Sequence, residues 1–297
     1  MNKTDFTIAK KLYEILCLPS TCYDENNNLK DYAYVVAIDD DVTSAIYAVR
    51  MARQIKKIHC HYPTILCVGG KGILSRHIYN KSEAEVLADI CLQLGYPKDL
   101  VWYKGLETGQ NTGENIVNVG KCVRAHFNRR PKVLFCVTKR QSLRYILTQQ
   151  KQEPYLDAGW YVIEESIQAA CKMMNAKSLC GREMMVHEVA AILPRCQQYA
   201  GKYQEYPPFE ITAIDVLSGA AYLADKYCLK LGGKPRYYNE ECKECIGVGK
   251  MNFIDYCRYF KLYISILLNK GKIRKAIDDA IWDENFNRAL AEENFAI

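Results

Sequence analysis

Short apolar, β-branched runs alternate with helix-length stretches through the first 165 residues, and few folds accept that rhythm. Ala33 to Ile38 (AYVVAI), Thr64 to Val68 (TILCV) and Lys132 to Thr138 (KVLFCVT) are almost continuously apolar. Such runs suit strands covered on both faces, as in parallel sheets. Asp99 to Tyr103 (DLVWY) and GWYVIEE, from Gly159, read as two further strands. The segments between them, VTSAIYAVRMARQIKKI, SEAEVLADICLQLG and QSLRYILTQQ, have helical length and spacing. Alternation of this kind predicts an α/β fold, a Rossmann-like parallel sheet flanked by helices. A short helix, about Thr4 to Cys17, precedes it.

From about Lys177 the strand signals stop. GREMMVHEVAAILPRCQQYAG reads as a helix that Pro194 should end or kink. Another helix is expected from Glu210 to Leu231, and two more follow the loop GGKPRYYNEECKECIGVG. The expected division is a Rossmann-like domain over 1–176 and a smaller helical part over 177–297.

Composition narrows the class. The 297 residues are 49% hydrophobic and 25% charged, enough for a sizeable core. The net charge of +6 is mild, and its short basic runs, such as Lys270 to Lys275, are separate. No concentrated basic face is foreseen, so nucleic acid is not an expected partner. No stretch reaches the ~20 apolar residues of a membrane span, and Tyr259 to Leu268 is short and carries Lys261. The N-terminal residues lack the apolar centre of a secretory signal, and many of the 14 cysteines sit inside apolar runs. The expectation is a cytoplasmic protein with reduced thiols.

In open α/β sheets, ligands bind beyond the carboxyl ends of the strands. The sequence places Asp39, Asp40 and Asp41 after strand one, and Gly69, Gly70, Lys71 and Gly72 after strand two. Glu107, Thr108, Asn111 and Thr112 follow strand three, and Thr138, Lys139 and Arg140 follow strand four. The glycines fit neither the dinucleotide fingerprint nor a P-loop. They serve a tight turn or the close approach of backbone to a ligand. Ser82 and Glu85 form a capping box, S-x-x-E. Glu83 either favours the helix dipole or reaches the site. The loop from Glu107 to Asn115 holds more polar side chains than one helix cap needs. That surplus suggests a small-molecule ligand with several hydroxyls or amines, or hydrogen bonding within the loop.

Other motifs are weaker. Cys242-x-x-Cys245 lacks a second tight pair, so no structural metal is expected. His187, on an apolar helix, reads as a satisfied core histidine. No G-x-S-x-G elbow is present.

Taken in order, these motifs resemble one family. A strand ends in GG-x-G (Gly69 to Gly72), SEA (Ser82 to Ala84) opens a helix, and GYP (Gly95 to Pro97) precedes strand three. Then come E-x-x-x-NTGEN (Glu107, Asn111 to Asn115) and a strand ending in T-K with Arg144 soon after. The set, from about Tyr34 to Thr148, resembles the YdcF-like family, related to the SanA and ElyC envelope proteins. The resemblance implies a Rossmann-like domain that binds S-adenosylmethionine. Carried over by motif, the implied contacts are Gly70, Gly72, Glu83, Glu107, Asn111, Thr112, Asn115 and Arg144. This chain has Ile38-Asp39-Asp40-Asp41 where the family has a glycine-containing turn.

Three functions are open on these grounds. One is an enzyme binding an adenosyl or nucleotide ligand, with a transferase as one activity. A second is a Mg²⁺-assisted hydrolase or phosphotransfer enzyme using Asp39 to Asp41 with Glu83 or Glu107. The third is a non-catalytic regulatory protein of envelope biogenesis.

Overall fold

The computed structural model describes residues 3–16, 18–38, 42–71, 79–126, 130–164, 181–207 and 214–230. Five strands form one all-parallel sheet: β1 (Tyr34–Ile38), β2 (Thr64–Val68), β3 (Val101–Trp102), β4 (Lys132–Thr138) and β5 (Asp157–Ile163). Their order is β3-β2-β1-β4-β5. The chain therefore builds outward from β1 to β3, returns to the other side of β1, and continues to β5. The two neighbours where the order reverses are β1 and β4.

The helices are α1 (Lys3–Ile15), α2 (Thr43–His59), α3 (Glu83–Gln93), α4 (Thr112–His126) and α5 (Lys139–Gln152). Beyond the sheet follow α6 (Gly181–Tyr199) and α7 (Ile214–Lys230). The expected α/β class is what the chain adopts. Helix α6 does not end at Pro194; it continues to Tyr199. The expected strand three begins in a 3₁₀ turn, Lys98–Leu100, and only Val101 and Trp102 form ladder.

Every residue of β1 is buried, as its unbroken apolar sequence requires. Successive side chains alternate across the sheet. Val35, Ala37, Ile65, Cys67, Leu134 and Cys136 pack beneath α2 and α3. Tyr34, Val36, Leu66, Val133, Phe135 and Val137 pack on the opposite face, against α4 and α5. A third cluster joins α1, α6 and α7 to Leu143 and Leu147 of α5. The helix that opens the chain thus packs with the helices that follow the sheet. Buried Asp5 of α1 secures this layer, accepting from Lys226 Nζ and Tyr227 OH of α7, both at 2.8 Å.

The helix ends follow local chemistry. Ser82 caps α3, accepting from the Glu85 N–H at 3.2 Å, and Glu85 accepts from the Ser82 N–H at 2.8 Å. The Ser82 N–H and hydroxyl, both donating to Glu85 Oε2, hold that carboxyl below its usual pKa. Gly95, at φ +76°, follows the end of α3, in the left-handed conformation that glycine supplies without strain.

The eight described cysteines are free thiols. Burial pushes the thiols of Cys67 and Cys136 well up, and Cys22 up to about 11. No described helix is long and apolar enough to cross a membrane. The segment Tyr259 to Leu268, the pair Cys242 and Cys245, and the last two expected helices lie outside the described residues.

Candidate functional site

The carboxyl edge of β2 is joined to the loop after β3 by backbone hydrogen bonds. The Gly69 N–H donates to the Leu106 carbonyl at 3.1 Å, and the Gly70 N–H to the Gly109 carbonyl at 2.7 Å. The start of α3 closes the other side, with the Glu83 N–H donating to Gly70 O and the Ala84 N–H to Gly69 O. Two glycines are needed here for geometric reasons. Gly69 has φ +138°, and a Cβ on it would lie 2.8 Å from Glu83 Oε2. A Cβ on Gly70 would overlap the Gly109 carbonyl oxygen and lie 3.1 Å from that of Glu107. Both amides of this turn donate to the neighbouring loop, so its contribution is to hold Glu83 and the Glu107 loop against the sheet edge.

The polar loop before α4 divides into two groups. Asn111 caps the helix: its Oδ1 accepts from the Glu114 N–H at 3.0 Å, and its Nδ2 donates to Glu114 Oε1 at 2.7 Å. Glu114 Oε2 accepts from the Gln110 N–H, and Thr108 Oγ1 accepts from Asn118 Nδ2. These four side chains are used by the loop and helix themselves. Glu107 and Asn115 are different. Glu107 Oε2 and Asn115 Oδ1 are buried and have no hydrogen-bond partner. Asn115 is only 6% exposed. Gly109 packs so closely on it that a Cβ there would overlap Asn115 Oδ1.

Thr138, fully buried, precedes α5 at the end of β4 without capping it through its side chain. Lys139 lies 3.7 Å from Glu164 and over the Tyr13 ring. Arg144, in the second turn of α5, keeps a buried Nε with no partner, and Gln141 Oε1 is likewise unpartnered. Buried polar groups in folded proteins are nearly always hydrogen-bonded. Of these atoms, those on Glu107 and Asn115 flank one loop at the carboxyl edge of β3, on either side of Gly109.

Of the sequence-derived residues, Gly69, Gly70, Glu83, Glu107 and Asn115 are brought together at the β2–β3 edge. Asn111 is a helix cap, and Thr112 is buried in the first turn of α4. Asp39, Asp40, Asp41 and Gly72 lie outside the described residues. Gly109 and Gln141 were not foreseen. Gly109 stood in the sequence as one loop glycine among others, and nothing local distinguishes Gln141.

His187 Nδ1 lies 3.0 Å from the Ala224 carbonyl, linking α6 to α7; the ring is satisfied as expected but only partly buried. Among the described residues, no group of three or more His, Cys, Asp or Glu is arranged to hold a metal ion. In comparisons with known proteins, the chain matches no family model and no curated protein.

Proposed function

We propose that this chain is a YdcF-like small-molecule-binding protein whose ligand is S-adenosylmethionine or a related adenosyl or nucleotide compound. The observation that carries this reading is the pair of unpartnered buried acceptors, Glu107 Oε2 and Asn115 Oδ1, at the carboxyl edge of the sheet. An acceptor removed from water without a partner is costly, and a ligand hydroxyl or amine would satisfy it. Ribose hydroxyls and an adenine or amino-acid amine are donors of that kind.

The residues fit such a group. Glu83 and Glu107 flank the Gly69–Gly70 turn, where carboxylates suit ligand hydroxyls and positive charge. Asn115 offers an amide at the first turn of α4. Bound there, S-adenosylmethionine would supply an electrophilic methyl group. The chain's own part is to orient the nucleoside through Glu107 and Asn115, each next in sequence to a buried core residue, Leu106 and Ile116.

Calorimetric titration with S-adenosylmethionine, S-adenosylhomocysteine, adenosine and adenosine monophosphate tests the reading. Saturable binding of at least one, weakened by Glu107→Gln, is the expected result. Absence of binding by all four refutes it.

A further inference from the structure

We propose that Cys67 and Cys91 form a redox switch: oxidation joins them in a disulfide that ties α3 to β2 at the edge of the candidate site. The switch depends on the geometry of the pair, not on which ligand the site takes.

Four of the eight described thiols, Cys22, Cys67, Cys91 and Cys136, lie in one core cluster beneath α2 and α3. Two of them face each other. Cys67 Sγ of β2 and Cys91 Sγ of α3 are 3.9 Å apart, although 24 positions separate them in the chain. The sulfurs of a disulfide lie about 2.0 Å apart, so closure brings them together by roughly 2 Å. Cys91 Sγ also reaches the Ala45 carbonyl of α2 at 4.0 Å, a weak bond that is readily given up. The product suits its surroundings, because a disulfide is neutral and carries no donor to go unpaired in an apolar core.

Place gives the bond its consequence. The Gly69–Gly70 turn begins just beyond Cys67, and α3 opens with Glu83. The Glu83 and Ala84 N–H groups donate to the Gly70 and Gly69 carbonyls. Hydrogen bonds thus join β2 to α3 at the start of the helix, and the disulfide joins them again about two turns further along. While the pair is reduced, α3 can lift from the sheet by local opening. Once it is oxidised, α3 stays on β2 and Glu83 is held at the turn.

Burial decides when the pair reacts. Both thiols are 0% exposed, and burial pushes the Cys67 thiol well up. The thiolate is the reactive form, so the closed fold protects the pair and reaction follows opening of α3. Hydrogen peroxide serves as the oxidant. Cys91, carried out by the helix, loses its proton and attacks one peroxide oxygen; the O–O bond breaks, leaving a sulfenic acid and hydroxide. The Cys67 thiolate then attacks the sulfenic sulfur, forming the S–S bond and releasing a second hydroxide. The two thiol protons convert both hydroxides to water, and two electrons pass from the sulfurs to the peroxide.

The test treats the full chain with hydrogen peroxide, alkylates and digests it, and maps the peptides by mass spectrometry. The expected product is a peptide pair joined through Cys67 and Cys91. Closing a loop of this length should raise Tm by roughly 5–10 °C. Amide hydrogen exchange in α3 should slow about 10-fold or more as its opening is blocked. Dithiothreitol should reverse both changes, and Cys91→Ala should show neither. Exposed Cys60 is the internal reference: it should be alkylated in the untreated folded chain while Cys67 and Cys91 are not. Treatment that leaves Cys67 and Cys91 as thiols, joins either to another cysteine such as Cys136, or ends at sulfinic acid overturns the switch. So does a Cys67–Cys91 bond that leaves exchange in α3 unchanged. The wild-type peptide map and exchange rates decide the matter even if Cys91→Ala does not fold.

Discussion

Replacing Gly70 by alanine tests whether the candidate site depends on direct contact between two loops. The added Cβ would overlap the Gly109 carbonyl oxygen and sit 3.1 Å from both the Gly109 carbonyl carbon and the Glu107 carbonyl oxygen. Every one of these neighbours is backbone, so no side chain can swing aside. The Glu107 loop must move, and the 2.7 Å bond from the Gly70 N–H to Gly109 O goes with it. Overpacking of this kind costs about 1–3 kcal/mol, and the lost bond adds about 0.5–1.5. The sum is about 2–4 kcal/mol, or a fall in Tm of roughly 5–15 °C for a domain of this size. Binding should weaken as well, because Glu107 is carried away with its loop. Gly219 supplies the contrast. It lies inside α7, and a methyl group added there would meet nothing within 4 Å. Gly219→Ala should therefore raise stability by about 0.5–1 kcal/mol through helix propensity. Thermal and urea melts of both variants, with titration of the best-binding adenosyl probe, decide the case. A Gly70→Ala chain that melts with the wild type would show that the two loops are not in contact.

Three further outcomes are expected. Glu107→Gln should change stability by no more than about half a kcal/mol, as for a residue without a structural partner, while weakening ligand binding about 10-fold or more; a large loss of Tm would make Glu107 structural. Arg124→Ala should destabilise by about 1–3 kcal/mol in urea melts, because it strands the buried Glu153 carboxylate, to which Arg124 Nη2 now donates at 3.0 Å. Wild-type stability in that variant would show the pair to be idle. Stability should also fall in alkali. Burial raises Cys22 to about 11 and Cys196 to about 12, above the ordinary thiol value of 9.0, and Tyr34 to about 12. A folded state that holds its protons more tightly keeps their full contribution below the unfolded pKa and loses it as pH climbs toward the folded one. Urea midpoints should therefore hold from pH 7 to about 9 and decline toward 11, and a flat profile would refute the burial of these groups.

Much of the fold was legible because its determinants are local. β1, β2 and β4 announce themselves as unbroken apolar runs, since both of their faces are covered. The α3 start could be read from S-x-x-E, because a capping box joins residues only three apart. Strand three was harder: DLVWY has strand composition, yet Lys98–Leu100 turns as a 3₁₀ segment. Only Val101 and Trp102 find partners, at Ile65 and Leu66 of β2.

The site was legible in its position and not in its division of labour. Chain order alone placed Gly69, Gly70, Glu83, Glu107 and Asn115 at strand ends, where an α/β sheet receives ligands. Tertiary structure alone decided that Asn111 and Glu114 serve the helix while Glu107 and Asn115 keep unsatisfied oxygens. It alone set Gly70 against Gly109 and packed α1 with α6 and α7. The physical reason is range. Caps and strands are settled by groups a few residues apart, whereas a buried atom lacks a partner only in relation to everything that folds around it. Asn115 shows this most clearly: its sequence neighbours describe an ordinary helix start, and only the packing of Gly109 against it leaves its Oδ1 buried without a partner.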